Sequence, residues 1–270
     1  MAERQVATVF FSDIKGFSGL GELLTATTLV KLLNTYFSEM TAAIHAHNGI
    51  IDKFVGDGLM AFWTAPFSRG ESHATDACLA ALAQQRAIRE LRKHLSDVLG
   101  LRRDLPEFSV RMGLATGDLV VGTIGSTEAR SFTVIGDTVN LASRLEGANK
   151  VYETSILVDE ATFQLTQNDV ESREIDFLAV LGRLEPVRVY EIIAPAGCLS
   201  VAEQQLCGLF AEGLAAYRAR DWDQSEQCFA QCLAVMPTDG PATVFHRRIK
   251  ILRGKTLPTD WDGVWQLTDK

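Results

Sequence analysis

An α+β sandwich over residues 1–194, followed by a linker and a small α-helical unit over 195–270, is the architecture this sequence predicts. Three observations predict it. Up to about residue 194, short β-branched and aromatic runs alternate with long segments of helical spacing. Within that stretch, glycine-centred turns join neighbouring apolar runs into strand pairs. Beyond APAGCLS (194–200), a linker with one proline, one glycine and small residues, only helical spacing continues.

VATVFFSDI (6–14) reads as a buried strand ending in an aspartate. The segment 25–49 carries Leu29, Leu32, Leu33, Tyr36, Phe37, Met40 and Ile44 at helical spacing and stops at Asn48-Gly49. IIDKFVGDGLMAFW (50–63) reads as two strands joined by Asp-Gly, a strong hairpin signal. Residues 72–99 form a helix with Ala77, Leu79, Ala80, Ala83, Ile88 and Leu91 on its apolar side. FSVRMGLATGDLVVGTIG (108–125) reads as strand, turn, strand, with Asp118 a structural turn residue. DTVNLASRLEGANK (137–150) opens on a capping aspartate and continues as a helix. SILVDEATFQL (155–165) is a strand and a short helix, and 173–193 is a closing strand pair around Gly182. In the tail, Phe210, Gly213, Leu214, Tyr217, Trp222, Phe229, Leu233 and Pro237 are spaced as in a helix–turn–helix pair. The spacing resembles one tetratricopeptide repeat, with its inter-helix loop about one residue short. A lone repeat buries its apolar face poorly, so this unit is expected to pack on the main domain or on a partner chain. The two tryptophans of WDGVWQLTDK (261–270) are expected to plug a groove on it.

The chain has 270 residues, 47% hydrophobic and 22% charged, enough for a substantial core. Its net charge of -8 argues against a nucleic-acid coat or a basic membrane-surface module. An anionic nucleotide would have to be held by local cations and metal. Cys78, Cys198, Cys207, Cys228 and Cys232 form no CxxC pair and read as free thiols of a reducing compartment. No apolar run approaches the roughly 20 residues that span a bilayer. The reading is therefore a cytoplasmic chain, free or as the cytoplasmic part of a larger membrane protein. His45 and His47, two apart at a helix end, read as surface or capping residues.

Two carboxylates carry the chemistry. Asp13 ends the first strand and Asp57 sits at the hairpin tip. If these elements are neighbours, both carboxylates reach one sheet edge and repel unless a cation lies between them. Magnesium suits such a pair, because it takes one or two carboxylates and completes its shell with water and phosphate oxygens. Gly56 and Gly58 keep the tip free of bulk, so a triphosphate can approach the backbone.

FFSDIKGFS (10–18), KFVGDGLMAFW (53–63) and FTVIGDTVNLASRLEGANK (132–150) resemble, in order and spacing, the three core motifs of class III adenylate and guanylate cyclases. The similarity spans about residues 5–194, and the tail resembles the helical extension of some bacterial members. The resemblance implies a ferredoxin-like cyclase sandwich that converts a nucleoside triphosphate to its 3′,5′-cyclic monophosphate and pyrophosphate. It implies two metal ions per site, Mg2+ or Mn2+, one lowering the pKa of the ribose 3′-hydroxyl and the other holding the triphosphate. Asp13, Asp57 and the carbonyl of Ile14 match the metal ligands, and Gly16 and Phe17 lie where backbone amides cradle phosphate. It also implies a head-to-tail homodimer with two shared sites. One chain gives the aspartates. The other gives Lys53, which reads the base, with Asn140 and Arg144, which position ribose and stabilise charge on the transferring phosphate.

Within the family, a lysine paired with aspartate or threonine reads adenine, and a glutamate paired with cysteine reads guanine. Here the pair is Lys53 and Thr133, so ATP is expected over GTP. The threonine marks a subgroup that includes bicarbonate-responsive members, which makes bicarbonate a candidate activator. One departure is LGRLEP (181–186), where the family often has a KGK-like stretch. Leu181 cannot contact phosphate, and Arg183 is the substitute. The alternatives are a guanylate cyclase, another two-metal nucleotidyl-transfer enzyme such as a polymerase palm or diguanylate cyclase, and a catalytically silent dimerisation module. The absence of a GGDEF-like turn and the presence of NLASR count against the second, and Asp13, Asp57, Asn140 and Arg144 all count against the third.

Overall fold

A computed structural model describes residues 2–68, 72–100, 107–179, 185–259 and 261–266. The elements follow in chain order. They are β1 (Glu3–Ile14), α1 (Phe17–Leu23), α2 (Ala26–Ala46), β2 (Ile50–Val55), β3 (Gly58–Trp63), α3 (His73–Lys93) and α4 (Leu95–Leu99). Next come β4 (Val110–Gly125), β5 (Arg130–Ile135), α5 (Asp137–Tyr152), β6 (Ile156–Asp159), α6 (Glu160–Thr166), β7 (Val170–Ala179) and β8 (Val187–Pro195). The chain closes with α7 (Val201–Arg218), α8 (Trp222–Val235), α9 (Gly240–Leu252) and β9 (Trp265–Gln266).

The strands form one mixed sheet in the order β2-β3-β1-β4-β6-β8-β7-β9, with β5 paired to β4. Alternation along the strands sends neighbouring residues to opposite cores. Phe10, Ala61, Trp63 and Leu114 pack under α2 and α3 with Tyr36, Met40 and Cys78. Val9, Phe62, Ala115 and Leu119 pack the other way, with Leu141 and Leu145 of α5. That second core runs on without a break into Phe210, Tyr217, Phe229 and Phe245 of the tail helices.

The predicted stop of α2 is present. Asn48 has φ 62, and a side chain at Gly49 would drive into Ile44 and Trp63. Three details differ from expectation. The hairpin turn is Gly56-Asp57 rather than Asp57-Gly58, with Gly56 at φ 64 and Gly58 already in β3. β4 is one continuous strand, and Asp118 pairs with Val6 inside the β1–β4 ladder instead of turning the chain. Its glycines serve packing. A Cβ at Gly113 would overlap the backbone of Glu146 and Ala142, so glycine lets α5 lie directly on the strand. The tail carries a third helix, α9, beyond the expected pair.

The tail helices meet the sheet through paired charges. Arg248 of α9 reaches Asp176 of β7 and donates to the Tyr152 hydroxyl at 2.9 Å, and that hydroxyl donates to Asp176 at 2.5 Å. Arg173 joins Glu191 at 2.7 Å and Asp239 at 2.6 Å, with its guanidinium over the Phe210 ring. Trp261 packs edge-on to Tyr217 and against Trp222, and Trp265 lies over Arg248 while β9 runs parallel to β7. Among the described residues, no helix is long and apolar enough to cross a membrane, and the five cysteines are free.

Candidate active site

The antiparallel pairing of β1 with β3 brings the hairpin tip beside the end of β1. Asp57 accepts a hydrogen bond from the Ile14 amide at 3.3 Å, and its carboxyl pairs with that of Asp13. A Cβ at Gly58 would press on the Ser12 carbonyl and approach Asp13, so glycine permits this closeness. Burial first, then the hydrogen bond and charge of Asp13, push the Asp57 carboxyl up to about 6.

Register then brings in two residues the sequence reading does not single out. Arg111, opposite Asp13 in the β1–β4 ladder, donates to Asp13 at 2.9 Å and faces Glu146 of α5 at 3.3 Å. The Asp13 side chain is 34% exposed and Arg111 18%, so the acidic edge is open while its cation is largely enclosed. Burial raises Glu146 to about 7. Arg111 opposes that rise, and Asp13 and Asp57 add to it. Beneath them the Tyr36 hydroxyl lies 3.5 Å from Ser12 Oγ, and burial pushes its pKa up. Glu146 lies inside a quoted motif and Arg111 inside an ordinary-looking strand. Only the pairing register, invisible in sequence, reveals that they meet.

Arg111 contacts Asp13 and Glu146, and Asp57 lies beside Asp13, so carboxyl groups outnumber the arginine at this edge. Asp13 and Asp57 set hard oxygen donors side by side, the donor set expected for a small divalent cation. Among the described residues, no cluster of three or more histidine, cysteine, aspartate or glutamate side chains is gathered to hold a metal. Any ion on Asp13 and Asp57 would therefore draw its remaining ligands from backbone, water and substrate. Gly16, at φ 75, caps the short α1 directly after this edge, and Phe17 is partly buried beside it.

The remaining candidates stand elsewhere. Lys53 projects from β2, with its side chain 53% exposed. Thr133 of β5 pairs with Gly122, toward the other end of β4 from Arg111, the register partner of Asp13. β5 also runs beside β2, so the elements carrying Lys53 and Thr133 are neighbours. Asn140 is exposed, and Arg144 one turn on is half-buried, with Nη1 buried and unbonded among the described residues. At about 100° per residue, Arg144 and Glu146 leave α5 on opposite flanks, about 200° apart. Glu146 faces Arg111 and the acidic pair, so Asn140 and Arg144 face away from it. Asn140 and Arg144 thus stand on the other side of α5 from the acidic pair. Arg183 lies outside the described residues.

A family model described as the adenylate and guanylate cyclase catalytic domain matches residues 1–193. Adenylate cyclase 1 of Rhizobium meliloti is 36% identical over 202 residues, covering 75% of this chain and 30% of that protein. The adenylate cyclase of Anabaena cylindrica is 36% identical over 191 residues, covering 69% of this chain and 36% of that protein. A terminal-differentiation-specific adenylate cyclase of Dictyostelium discoideum is 29% identical over 245 residues, covering 89% of this chain and 11% of that protein. The chain thus spans about a third or less of the length of these relatives. Among solved structures, the adenylyl cyclase CyaB from P. aeruginosa matches with TM-score 0.66 and 35% identity, over 74% of this chain and 100% of that one. The guanylyl cyclase Cya2 matches with TM-score 0.63 and 29% identity, over 73% of this chain and 96% of that one.

Proposed function

The chain belongs to the adenylate and guanylate cyclase catalytic-domain family, and from that premise we propose that it is an adenylate cyclase acting as a homodimer. In this reading ATP is converted to 3′,5′-cyclic AMP. The ribose 3′-oxygen bonds to the α-phosphorus, the bond to the β-phosphate oxygen breaks, pyrophosphate leaves, and the hydroxyl proton passes to solvent. The observation that carries the reading is the separation of the half-sites on the two flanks of α5. A second copy is needed to bring Asn140 and Arg144 against the acidic pair of the first.

Residue roles follow from chemistry and position. Asp13 and Asp57, with the Ile14 carbonyl, would hold Mg2+ or Mn2+, two ions per site. When bound, such ions lower the pKa of the 3′-hydroxyl and neutralise the triphosphate. Arg111 keeps Asp13 oriented by direct hydrogen bonding. The Gly16–Phe17 amides and Arg183 meet phosphate. Asn140 orients the ribose, and Arg144, whose buried nitrogen lacks a partner among the described residues, meets the charge on the transferring phosphate. Lys53 donates to adenine N1, and Thr133 accepts from the 6-amino group. Bicarbonate stimulation rests on Thr133 alone. Equal rates in sodium bicarbonate and sodium chloride at fixed pH would remove it. Residues 1–194 form the catalytic unit and 195–270 a tetratricopeptide-like extension, in a cytoplasmic setting.

The test compares cyclic nucleotide formation from ATP and from GTP with Mg2+ or Mn2+. Asp57→Ala and Arg144→Ala should each be inactive alone. Mixed in equal amounts and allowed to exchange subunits, they should recover about a quarter of wild-type sites, because half the dimers are mixed and each holds one intact site. No recovery, with exchange verified, would rule out shared sites. Cyclic GMP as the main product would make the chain a guanylate cyclase. No product from a folded dimer would leave it a silent dimerisation module.

A further inference from the structure

In the β2–β3 ladder, Ile50 pairs with Phe62 and Ile51 with Ala61, but the next pair is Lys53 with Met60. Asp52 is the extra residue of a β-bulge. The bulge has a direct consequence for Lys53. Unbroken pairing would set Lys53 opposite Leu59, whose side chain lies in the core beneath α2 and α3. One inserted residue turns Lys53 to the face of Met60 and Phe62, the side on which α5 packs.

The inserted residue is an odd choice for a purely structural bulge. The Asp52 side chain is 0% exposed, and neither oxygen has a hydrogen-bond partner among the described residues. Its sole ion-pair partner among them is the Lys53 ammonium at 3.3 Å, a contact that lacks hydrogen-bond geometry. Burying an unsatisfied carboxylate is unfavourable, and asparagine, serine or an apolar residue would fill the same bulge with less desolvation. The arrangement has a use if the ammonium is what must be held. The buried anion fixes one side of the Lys53 head group while the other side stays open to solvent.

We propose that Asp52 is a positioning residue that tethers the Lys53 ammonium for base recognition and thereby sets the preference for adenine over guanine. It rests on the adenylate cyclase reading, in which Lys53 meets the purine. An ammonium offers only donors. Adenine N1 is an acceptor, whereas guanine N1 carries a hydrogen and clashes with a fixed donor. A free lysine could swing to guanine O6. A tethered one is restrained from doing so and loses less rotamer freedom on binding.

The experiment is calorimetric binding of 3′-deoxy-ATP and 3′-deoxy-GTP, which lack the attacking hydroxyl, with Mg2+ and the full chain. Wild type is compared with Asp52→Asn, Lys53→Met and the double variant. Asp52→Asn should cut the ATP-over-GTP binding ratio about tenfold, the scale of one misplaced charged hydrogen bond, without lowering the melting temperature. The double variant should match Lys53→Met alone, because Asp52 acts only through that lysine. An unchanged ratio, or an equal loss in the Lys53→Met background, overturns the proposal. Asp52→Ser replaces the asparagine variant if that one does not fold. If neither folds, Asp52 serves the fold and the proposal is wrong. Wild type that binds adenine selectively without forming cyclic AMP would sink the cyclase reading and leave this one standing. Wild type that binds neither nucleotide would sink both.

Discussion

Buried charge is handled in opposite ways at the C-terminal end of α5 and around its body. At its C-terminal end, where the tail helices dock, Tyr152, Asp176 and Arg248 bond one another, and Arg173 bridges Glu191 and Asp239. Arg173 Nη1, the Tyr217 hydroxyl and His246 Nδ1 go without hydrogen-bond partners there among the described residues. Around the body of the helix and on the hairpin, the accounting is left open. Asp57 and Asp13 crowd each other and Glu146 is raised by burial, while among the described residues Arg144 keeps a buried nitrogen unbonded and Asp52 has only an ill-aligned ammonium. A charge that serves the fold is given its partner within the chain. A charge left wanting inside a well-packed structure marks where a ligand or second chain completes the set.

The largest effect should come from the open end. Asp57→Ala should lower cyclase turnover by about a thousandfold or more, the scale of losing metal-borne charge stabilisation, while its melting temperature stays level or rises. A matching fall in stability would erase the contrast. At the closed end the order reverses. Arg248→Met strands Asp176 in the core and should destabilise the chain by about 3–5 kcal/mol in denaturant titration. An Arg248→Met chain as stable as wild type would mean that the network is ornamental.

Proton dependence sharpens the comparison further. Asp57 and Glu146 sit at about 6 and about 7 when folded, above their ordinary 3.8 and 4.5. A carboxyl raised by folding contributes stability that is full below its unfolded value and lost as pH rises through its folded value. In chelator, wild type should therefore melt higher at pH 5.5 than at pH 7.5, by a margin that shrinks in Asp57→Asn. For the same reason Mn2+ binding should tighten as pH climbs through about 6, since the ion displaces the proton on Asp57. The smallest effect concerns a helix cap that belongs to neither cluster. Ser200 and Glu203 form a capping box at the start of α7, and Ser200→Ala should cost about 1 kcal/mol with no change in turnover.

Much of the fold was legible because its signals are local. The apolar spacing of α2, the Asn48-Gly49 stop and the glycine-centred hairpin each declare themselves within a few residues. β4 was misread at Gly117-Asp118 because a glycine that admits a neighbouring helix looks, in sequence, like one that turns the chain. Gly117 faces Thr138 of α5, a long-range fact that no window contains. The aspartates were readable as an acidic pair, but Arg111 and Glu146 were not, since their meeting depends on strand register and helix rotation. The bulge at Asp52 was hidden for the same reason. A one-residue slip leaves no mark in composition and changes which way every later side chain points.

The two residues of β9 carry one last consequence, for the making of the protein. Trp265 and Gln266 pair with Leu178 and Ala179 at the end of β7. They are synthesised only after all three tail helices. Until they arrive, the rim of the nascent sheet offers unpaired backbone donors and acceptors to any extended segment nearby. A version ending before Trp261 would keep that rim permanently open, and its failing would be clumping between molecules, visible by light scattering well below its unfolding temperature.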